Sequence, residues 1–261
     1  MRGLRLSPYY RIIARLALGW NAPRRQVLGM VLSGEVTSVG AGVKSFEPGA
    51  QVFGFDRHLF GTYAEYVCWP CDALLVDRPL NLTDQESAAI PFGGLLALHF
   101  LRKAGVRAGQ RVVIFGASGA VGTSAVQLAR HLGAEVTGVC STANEKLVAS
   151  LGATRVIDYT AENFVDGAER YDLVFDAVGK TKSAKALRGC KRVLTPGGAC
   201  ISVDDGRPKF HRKDLAWLGE LAARGEILPV IDRTYALEDI VDAHRYVDNG
   251  HKRGNVVITL T

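Results

Sequence analysis

The stretch 111–122 constrains the fold of this chain more than any other. Four apolar residues, 112–115, follow Gly109-Gln110 and run into a glycine-rich segment at 116–122. A short apolar run between glycines is typical of a strand buried in a parallel sheet. Apolar residues behind the glycines recur at helical spacing, at Val121, Ala125, Leu128 and Leu132. The stretch therefore predicts a strand, a tight turn and a helix, in which backbone N–H groups and a helix N-terminus can bind phosphate.

The glycines match the dinucleotide fingerprint G-x-G-x-x-G in part. Gly119 and Gly122 hold the second and third glycine positions, and Ala117 stands at the first. The fingerprint indicates a dinucleotide site only where a strand precedes it and a helix follows it, and both are predicted here. The alternative is a turn that binds no ligand, and the context favours a dinucleotide.

Strands and helices alternate from position 110 onward, which indicates an α/β fold with a doubly wound parallel Rossmann sheet. The predicted strands are 112–115, 135–140, 154–157, 173–176, 199–203 and, at the end of the chain, 255–260. The predicted helices are 119–132, 144–151, 161–168, 181–191, 214–224 and 237–248.

The first eighty residues have a different texture. Short β-branched runs separated by Gly and Pro occupy 27–67, including an alternating run at 61–67, and predict a small β-rich unit. A short helix is expected at 9–16. Thr83 or Asp84 is expected to cap a helix at 86–89, which Pro91 interrupts before a second helical run at 95–103.

Composition narrows the classes of partner and compartment. The 261 residues include 32 Lys and Arg against 26 Asp and Glu, and the basic residues are scattered, which argues against nucleic-acid binding. No apolar run approaches the length of a membrane span. Five cysteines in no regular framework predict free thiols in a reducing compartment, which we take to be the cytoplasm.

The first 34 residues contain six arginines and no acidic residue. Such a composition is typical of a mitochondrial transit peptide, and a basic surface segment of the fold is the alternative. We favour the surface segment, because the resemblance described below places these residues inside the first domain.

The second predicted strand bears on the choice of cofactor. An NAD site usually has Asp or Glu about 20 residues beyond the glycines, bonded to the ribose 2′-hydroxyl. This strand instead runs into Ser141, Thr142, Asn144 and Lys146, and Glu145 lies about a turn beyond the expected place. Hydroxyls and a cation suit a 2′-phosphate, so the sequence predicts NADP(H). If Glu145 instead takes the place of the usual acidic residue, NAD is the expected cofactor. The other alternative is that Lys146 is a solvated helix residue that does not contact the cofactor.

Several motifs together resemble the medium-chain dehydrogenase/reductase superfamily. They include the glycine segment 116–122, Leu-Gly-Ala-Thr-Arg-Val-Ile-Asp-Tyr at 151–159, Tyr-Asp-Leu-Val-Phe-Asp-Ala-Val-Gly at 171–179 and Thr-Pro-Gly-Gly at 195–198. Val-Leu-Gly at 27–29 and Pro-Val-Ile-Asp-Arg-Thr-Tyr at 229–235 fit as well. The chain is most similar to the zinc-independent branch that resembles quinone oxidoreductases.

The resemblance implies a partial GroES-like β-rich domain, residues 1–80 and 235–261, around a Rossmann domain at 81–234. It implies hydride transfer from NADPH to a small-molecule quinone or α,β-unsaturated carbonyl. The carboxyl ends of the strands should line the cofactor crevice. The cofactor contacts that we expect there are Gly116, Ala117, Ser118, Gly119, Ala120, Val121, Gly122, Ser141, Thr142, Lys146, Tyr159, Val178, Gly179 and Ser202.

The chain departs from the family pattern at several places. About fifty residues of a usual member would precede Met1, including the usual active-site Tyr or His, so we assign no catalytic residue. The helix and sixth strand expected after 201–203 are absent from the sequence, and with them the usual route to a homodimer. Leu96 stands where a Thr is expected near the nicotinamide.

Two conclusions about function follow from the resemblance and these departures. We expect no metal, because Met30 replaces the zinc-ligand His and the Cys68–Cys71 pair lacks the second pair that a structural zinc site needs. The leading hypothesis is an NADPH-dependent oxidoreductase. The rival hypothesis is a catalytically silent relative that only binds cofactor or a partner.

Overall fold

A computed structural model describes residues 27–260 of the chain. The strands are β1 (Val31–Glu35), β2 (Gln51–Phe55), β3 (Leu75–Asp77), β4 (Arg111–Phe115), β5 (Glu135–Cys140), β6 (Arg155–Asp158), β7 (Tyr171–Asp176), β8 (Leu194–Ser202), β9 (Ile231–Ala236) and β10 (Asn255–Thr259). The α-helices are α1 (Asp84–Ala89), α2 (Pro91–Lys103), α3 (Ala120–His131), α4 (Glu145–Ser150), α5 (Lys180–Ser183), α6 (Arg212–Ala223) and α7 (Ile240–Asp248).

A parallel sheet of five strands forms the centre of the molecule. Its order is β6-β5-β4-β7-β8, so β4 lies in the middle and the chain winds outward in both directions. Residues 112–114 of β4 are fully buried, as the apolar run predicted. The predicted fold class is confirmed, and the strand order reverses beside β4, where open α/β sheets bind their ligands.

Helix α3 packs on this sheet through the apolar face that its sequence predicted. Ala125 and Leu128 are fully buried there, and Val121 is almost so. Helix α2 lies against α3 so closely that a Cβ on Gly93 would overlap the backbone oxygen of Ala120. The first turns of the two helices therefore meet beside the glycine segment.

Two smaller sheets complete the described residues. Strands β1, β2 and β3 form an antiparallel sheet, and β9 pairs with β10 in parallel. The β-rich character of the early residues is confirmed. The domain division at 80/81 and 234/235 stays a prediction, and β9 runs across the second of these positions.

Three predicted elements are wrong, each for a local reason. Residues 161–168 form only a 3₁₀ turn, Phe164–Asp166, because the backbone is extended at Asn163, which caps the start of the turn, and again at Gly167, where the turn ends. The predicted helix 181–191 is a single turn, α5, followed by turns and the left-handed Gly189. The alternating run 61–67 is irregular, since Phe60 and Gly61 both have positive φ and turn the chain away from an extended path.

The helix caps were predicted more accurately than these elements. Thr83 caps α1, and its side chain and that of Glu86 form a capping box. The expected interruption at Pro91 is confirmed, since α1 ends at Ala89 and Pro91 begins α2, where a proline at the first helical position needs no N–H partner. The helix predicted at 9–16 and the Arg-rich start lie outside the described residues.

Candidate functional site

The turn after β4 leaves no space for a side chain at Gly116. Gly116 has φ +78°, and a Cβ there would overlap the side chain of Val178. The N–H groups of Gly116 and Ala117 both donate to the carbonyl of Val139 at 3.0 Å. Ala117 is fully buried, so its methyl packs under the turn. An alanine at the first fingerprint position is therefore accommodated inside the protein and leaves the outer face of the turn open.

Helix α3 begins directly on this turn with an open N-terminus. Its N-cap residue is Gly119, which offers no side-chain cap. The first hydrogen bond of the helix runs from the Thr123 N–H to the Gly119 carbonyl at 2.8 Å. The N–H groups of the first helical turn, which come before Thr123, therefore have no acceptor within the helix. A Cβ on Gly122 would overlap the Gly116 carbonyl oxygen, so the helix can approach the turn only with glycine there. The free N–H groups and the positive end of the helix dipole fit the diphosphate of a dinucleotide.

A segment from the end of the chain closes one side of the turn. The N–H of Gly254 donates to the Ser118 carbonyl at 2.8 Å, and Gly254 forms a parallel bridge with Gly119. Lys252 Nζ donates to the Gly254 carbonyl at 2.5 Å, and burial lowers the pKa of this lysine. Sequence reasoning did not predict this contact, since it assigned the segment to the other domain. The basic run at 251–253 before a glycine was the available signal.

The end of β5 gathers polar groups beside the turn. Asn144 donates to Ser141 Oγ at 3.1 Å and to Ser118 Oγ at 3.3 Å, which joins two of the predicted site residues. Lys146 is exposed in the first turn of α4. The structure thus brings the predicted residues of β4 and β5 to one edge of the sheet.

Thr142 makes a contact that the sequence did not predict. Its hydroxyl donates to the carboxylate of Asp158 at the end of β6. Hydrogen bonds from Thr142 and Thr160 hold the pKa of Asp158 below its ordinary value, so this carboxylate is charged at neutral pH. A negative charge therefore stands at the border of the predicted 2′-phosphate position.

Asp176 organises the end of β7. It is 1% exposed and accepts four hydrogen bonds, which come from the N–H groups of Val178 (3.0 Å) and Gly179 (3.1 Å) and the hydroxyls of Ser183 (2.7 Å) and Ser202 (2.8 Å). The predicted hydroxyl of Ser202 is thus directed into the protein. Val178 remains 39% exposed beside the turn. A buried strand ending in Asp before a glycine was the signal for this role.

Tyr159 follows β6 at the same edge of the sheet. Its side chain is 53% exposed, and its ring centroid lies 6.3 Å from that of Phe115. Its N–H donates to the Cys140 carbonyl at 3.0 Å, which fixes the backbone. A half-exposed ring on a fixed backbone is free to pack against a bound ligand.

Comparisons with known proteins agree with this geometry. A family model described as "Zinc-binding dehydrogenase" matches residues 120–242. The chain is 34% identical to 2-methylene-furan-3-one reductase of Solanum lycopersicum over 258 residues, which is 91% of this chain and 64% of that protein. It is 30% identical to the mitochondrial NAD(P)H oxidoreductase RTN4IP1 of Mus musculus, over 89% of this chain and 70% of that protein.

The chain belongs to the medium-chain dehydrogenase/reductase superfamily. Its fold is that of the quinone oxidoreductase from Coxiella burnetii, with a TM-score of 0.81, 27% sequence identity, and coverage of 98% of this chain and 87% of that one. The predicted resemblance, including the quinone oxidoreductase-like branch, is confirmed. Family membership and the open glycine turn both support a nicotinamide cofactor. The chain spans slightly less than two thirds of the length of the tomato relative.

Residues 27–260 contain neither a cluster of metal ligands nor a membrane-spanning helix. No three His, Cys, Asp or Glu side chains in this range are grouped as metal ligands would be. Cys68 and Cys71 are exposed free thiols. None of the helices in this range has the length and apolar character needed to cross a bilayer.

Proposed function

We propose that this family member is an NADPH-dependent oxidoreductase that reduces a quinone or an α,β-unsaturated carbonyl compound. The open N-terminus of α3 above the glycine turn carries the proposal, because it fits the diphosphate of a dinucleotide. The similarity to a 2-methylene-furan-3-one reductase and to a quinone oxidoreductase supports this class of substrate. Domain bounds of 1–80 with 235–261, and 81–234, and a cytoplasmic location belong to the same proposal.

The preference for NADP(H) over NAD(H) rests on the end of β5. Ser141 and Lys146 offer a hydroxyl and a cation, and no carboxylate ends this strand. The Asp158 carboxylate on the neighbouring strand opposes a phosphate, although it is held by three hydrogen bonds from Thr142 and Thr160. We infer that Lys146 supplies the charge that outweighs Asp158 at the 2′-phosphate.

The chain's own residues bind and orient in this proposal. A bound nicotinamide supplies the hydride, which is the chemistry of the cofactor itself. The turn at 116–122 holds the diphosphate, and Tyr159 packs beside the adenosine half. Asp176 fixes the backbone of Val178 and Gly179, which form the wall of the crevice at the other half.

The cofactor preference is tested by calorimetric titration of the protein with NADPH and with NADH. We expect wild type to bind NADPH at least tenfold more tightly. A charged hydrogen bond contributes about 1.5–3 kcal/mol, so Lys146→Ala should raise the Kd for NADPH about tenfold or more. The Kd for NADH should stay constant, since NADH carries no 2′-phosphate.

The matched control is Lys191→Ala, an exposed lysine before β8 at the opposite edge of the sheet. It should leave both affinities unchanged. Equal affinity for the two cofactors in wild type, or an equal loss for both in Lys146→Ala, would contradict the NADP assignment.

Turnover is tested separately by NADPH oxidation with a panel of quinones and enones. Sustained oxidation with at least one substrate is the expected result. Tight NADPH binding without turnover on any substrate would favour the rival hypothesis, a silent cofactor-binding relative.

A further inference from the structure

A groove of about 380 Å³ lies between α2 and the segment 204–211, apart from the dinucleotide turn. Leu95 and Phe210 form apolar parts of its lining. The charged and titratable residues in the lining are His99, Arg102, Lys103, Lys209, His211 and Asp214. Basic side chains dominate this list, and Asp214 is its one carboxylate. We call this site the basic groove.

The charge of the basic groove is largely uncompensated. Arg102 Nη1 binds Asp214 Oδ1 at 2.5 Å, which neutralises that pair. Lys103 Nζ donates to a neutral acceptor, the backbone carbonyl of Asp205, at 3.2 Å. Within residues 27–260 neither Lys103 nor Lys209 forms an ion pair, and residues 1–26 contain no Asp or Glu that could supply one. The Asp205 carboxylate, which pairs with Lys180, is near enough to Lys103 for this lysine to contribute to its lowered pKa. Two lysines without an ion-pair partner therefore lie at one concave site, with this carboxylate near one of them.

The pKa of His99 is affected by the same positive charges. Its pKa lies below the ordinary value, mainly through burial and then through the charge of Lys103, with a smaller effect of Arg57; a hydrogen bond to the Lys209 backbone and the charge of Asp214 act in the opposite direction. Arg57 belongs to the segment after β2 and stacks over the Phe210 ring at 5.0 Å. Cations from three separate parts of the chain thus converge on the basic groove.

The segment 204–211 connects the basic groove to the cofactor edge of the sheet. At one end of the segment 204–211, Asp204 accepts the Lys180 N–H at 2.7 Å, directly after the Gly179 turn. At its other end, Phe210 packs on Phe55 with ring centroids 5.6 Å apart. This one segment therefore connects the end of β7 to the wall of the basic groove.

Helix α2 makes the same connection along its length. Its first turn carries Phe92, 40% exposed and 6.0 Å from the Phe55 ring, close to the first turn of α3. Its last turn carries Lys103. Eleven residues of helix separate the two, which is about 16 Å. A ligand lying along this face would have an aromatic surface at one end and positive charge at the other.

We propose that the basic groove binds an anionic end, a carboxylate or a phosphate, of the substrate whose unsaturated carbonyl or quinone lies at the cofactor edge. The proposal rests on the proposed function and narrows its substrate class to anionic compounds. Lys103 and Lys209 bind the anion, and the aromatic rings near Phe210 pack against the chain that links it to the reacting group. Attraction between the lysines and the anion lowers KM and leaves kcat nearly constant.

The test compares three substrates that share one straight-chain enone: a neutral form, a form ending in a carboxylate and a form ending in a phosphate monoester. Wild type should have at least a tenfold lower KM for one or both anionic forms. Lys209→Glu should reduce this preference at least tenfold, and added salt should reduce it in wild type. The control Lys191→Glu changes the same net charge at the opposite edge of the sheet and should leave the preference intact.

A preference for only one of the two anionic substrates shows whether the basic groove binds a carboxylate or a phosphate. Equal KM values for all three substrates, or the same preference in Lys209→Glu as in wild type, would overturn the proposal. Turnover of the neutral enone tests the proposed function independently.

If no substrate is turned over, binding decides the question. Inorganic pyrophosphate is then titrated into protein whose cofactor site is filled with NADP⁺, with wild type and Lys209→Glu compared by calorimetry. Weaker binding by at least tenfold in the variant supports the basic groove as an anion site, and equal binding rejects it.

Discussion

Replacement of Asp176 by alanine should lower the free energy of unfolding, and the hydrogen bonds that its carboxylate accepts determine the size of this loss. The carboxylate is 1% exposed and accepts from two backbone N–H groups and two hydroxyls. In Asp176→Ala the N–H groups of Val178 and Gly179 lose their partner, at about 1–3 kcal/mol each. Ser183 can turn its hydroxyl toward the Gly179 carbonyl, 3.1 Å away, so its loss is smaller. We expect a decrease of roughly 3–5 kcal/mol in the free energy of unfolding.

Asp176→Asn should cost much less, about 1–2 kcal/mol, because the amide oxygen still accepts both N–H groups and serine hydroxyls can accept from the new NH₂ group. Urea unfolding followed by circular dichroism measures both values. Asp166→Ala is the control, since the exposed Asp166 carboxylate makes only surface contacts, an ion pair with Arg192 and a hydrogen bond from the Asn163 amide, each at 3.1 Å, and should cost less than about 1 kcal/mol. A loss below 1 kcal/mol in Asp176→Ala, or equal losses in the Ala and Asn variants, would refute this reasoning.

Three further outcomes are expected. Gly122→Ala should fold but bind NADPH at least tenfold more weakly, because its Cβ displaces the Gly116 carbonyl from the turn; unchanged affinity in a calorimetric titration would contradict the fit described here. Thr83→Ala should lower the free energy of unfolding by about 1 kcal/mol through loss of the capping box, and an unchanged urea midpoint would argue against that box. Burial raises the pKa of Cys140 to about 11 and of Cys200 to about 12, so at pH 8 roughly one Cys140 in a thousand is thiolate. Mass spectrometry after iodoacetamide treatment should find only the two exposed cysteines, Cys68 and Cys71, modified quickly. Fast modification of all five cysteines would contradict this expectation.

The sequence by itself determined the central sheet and the glycine turn. Periodicity and glycine placement are local properties, so β4, β5 and α3 were predicted nearly to the residue. Short segments were predicted less well, because the backbone conformation of one or two residues decides whether they continue. Extended backbone at Asn163 and Gly167 limits the predicted helix at 161–168 to one turn, and Phe60 with Gly61 broke the alternating strand.

Only the tertiary structure decided how the ends of the strands are used. Ser202 was predicted to contact the cofactor, yet its hydroxyl donates to Asp176, and Thr142 donates to Asp158. Gly254 meets the turn at Ser118 across more than a hundred residues of sequence. The basic groove likewise combines α2 with the segment 204–211. Hydrogen bonds and charges between distant segments depend on where the fold brings them, and the spacing of residues along the chain does not contain that information.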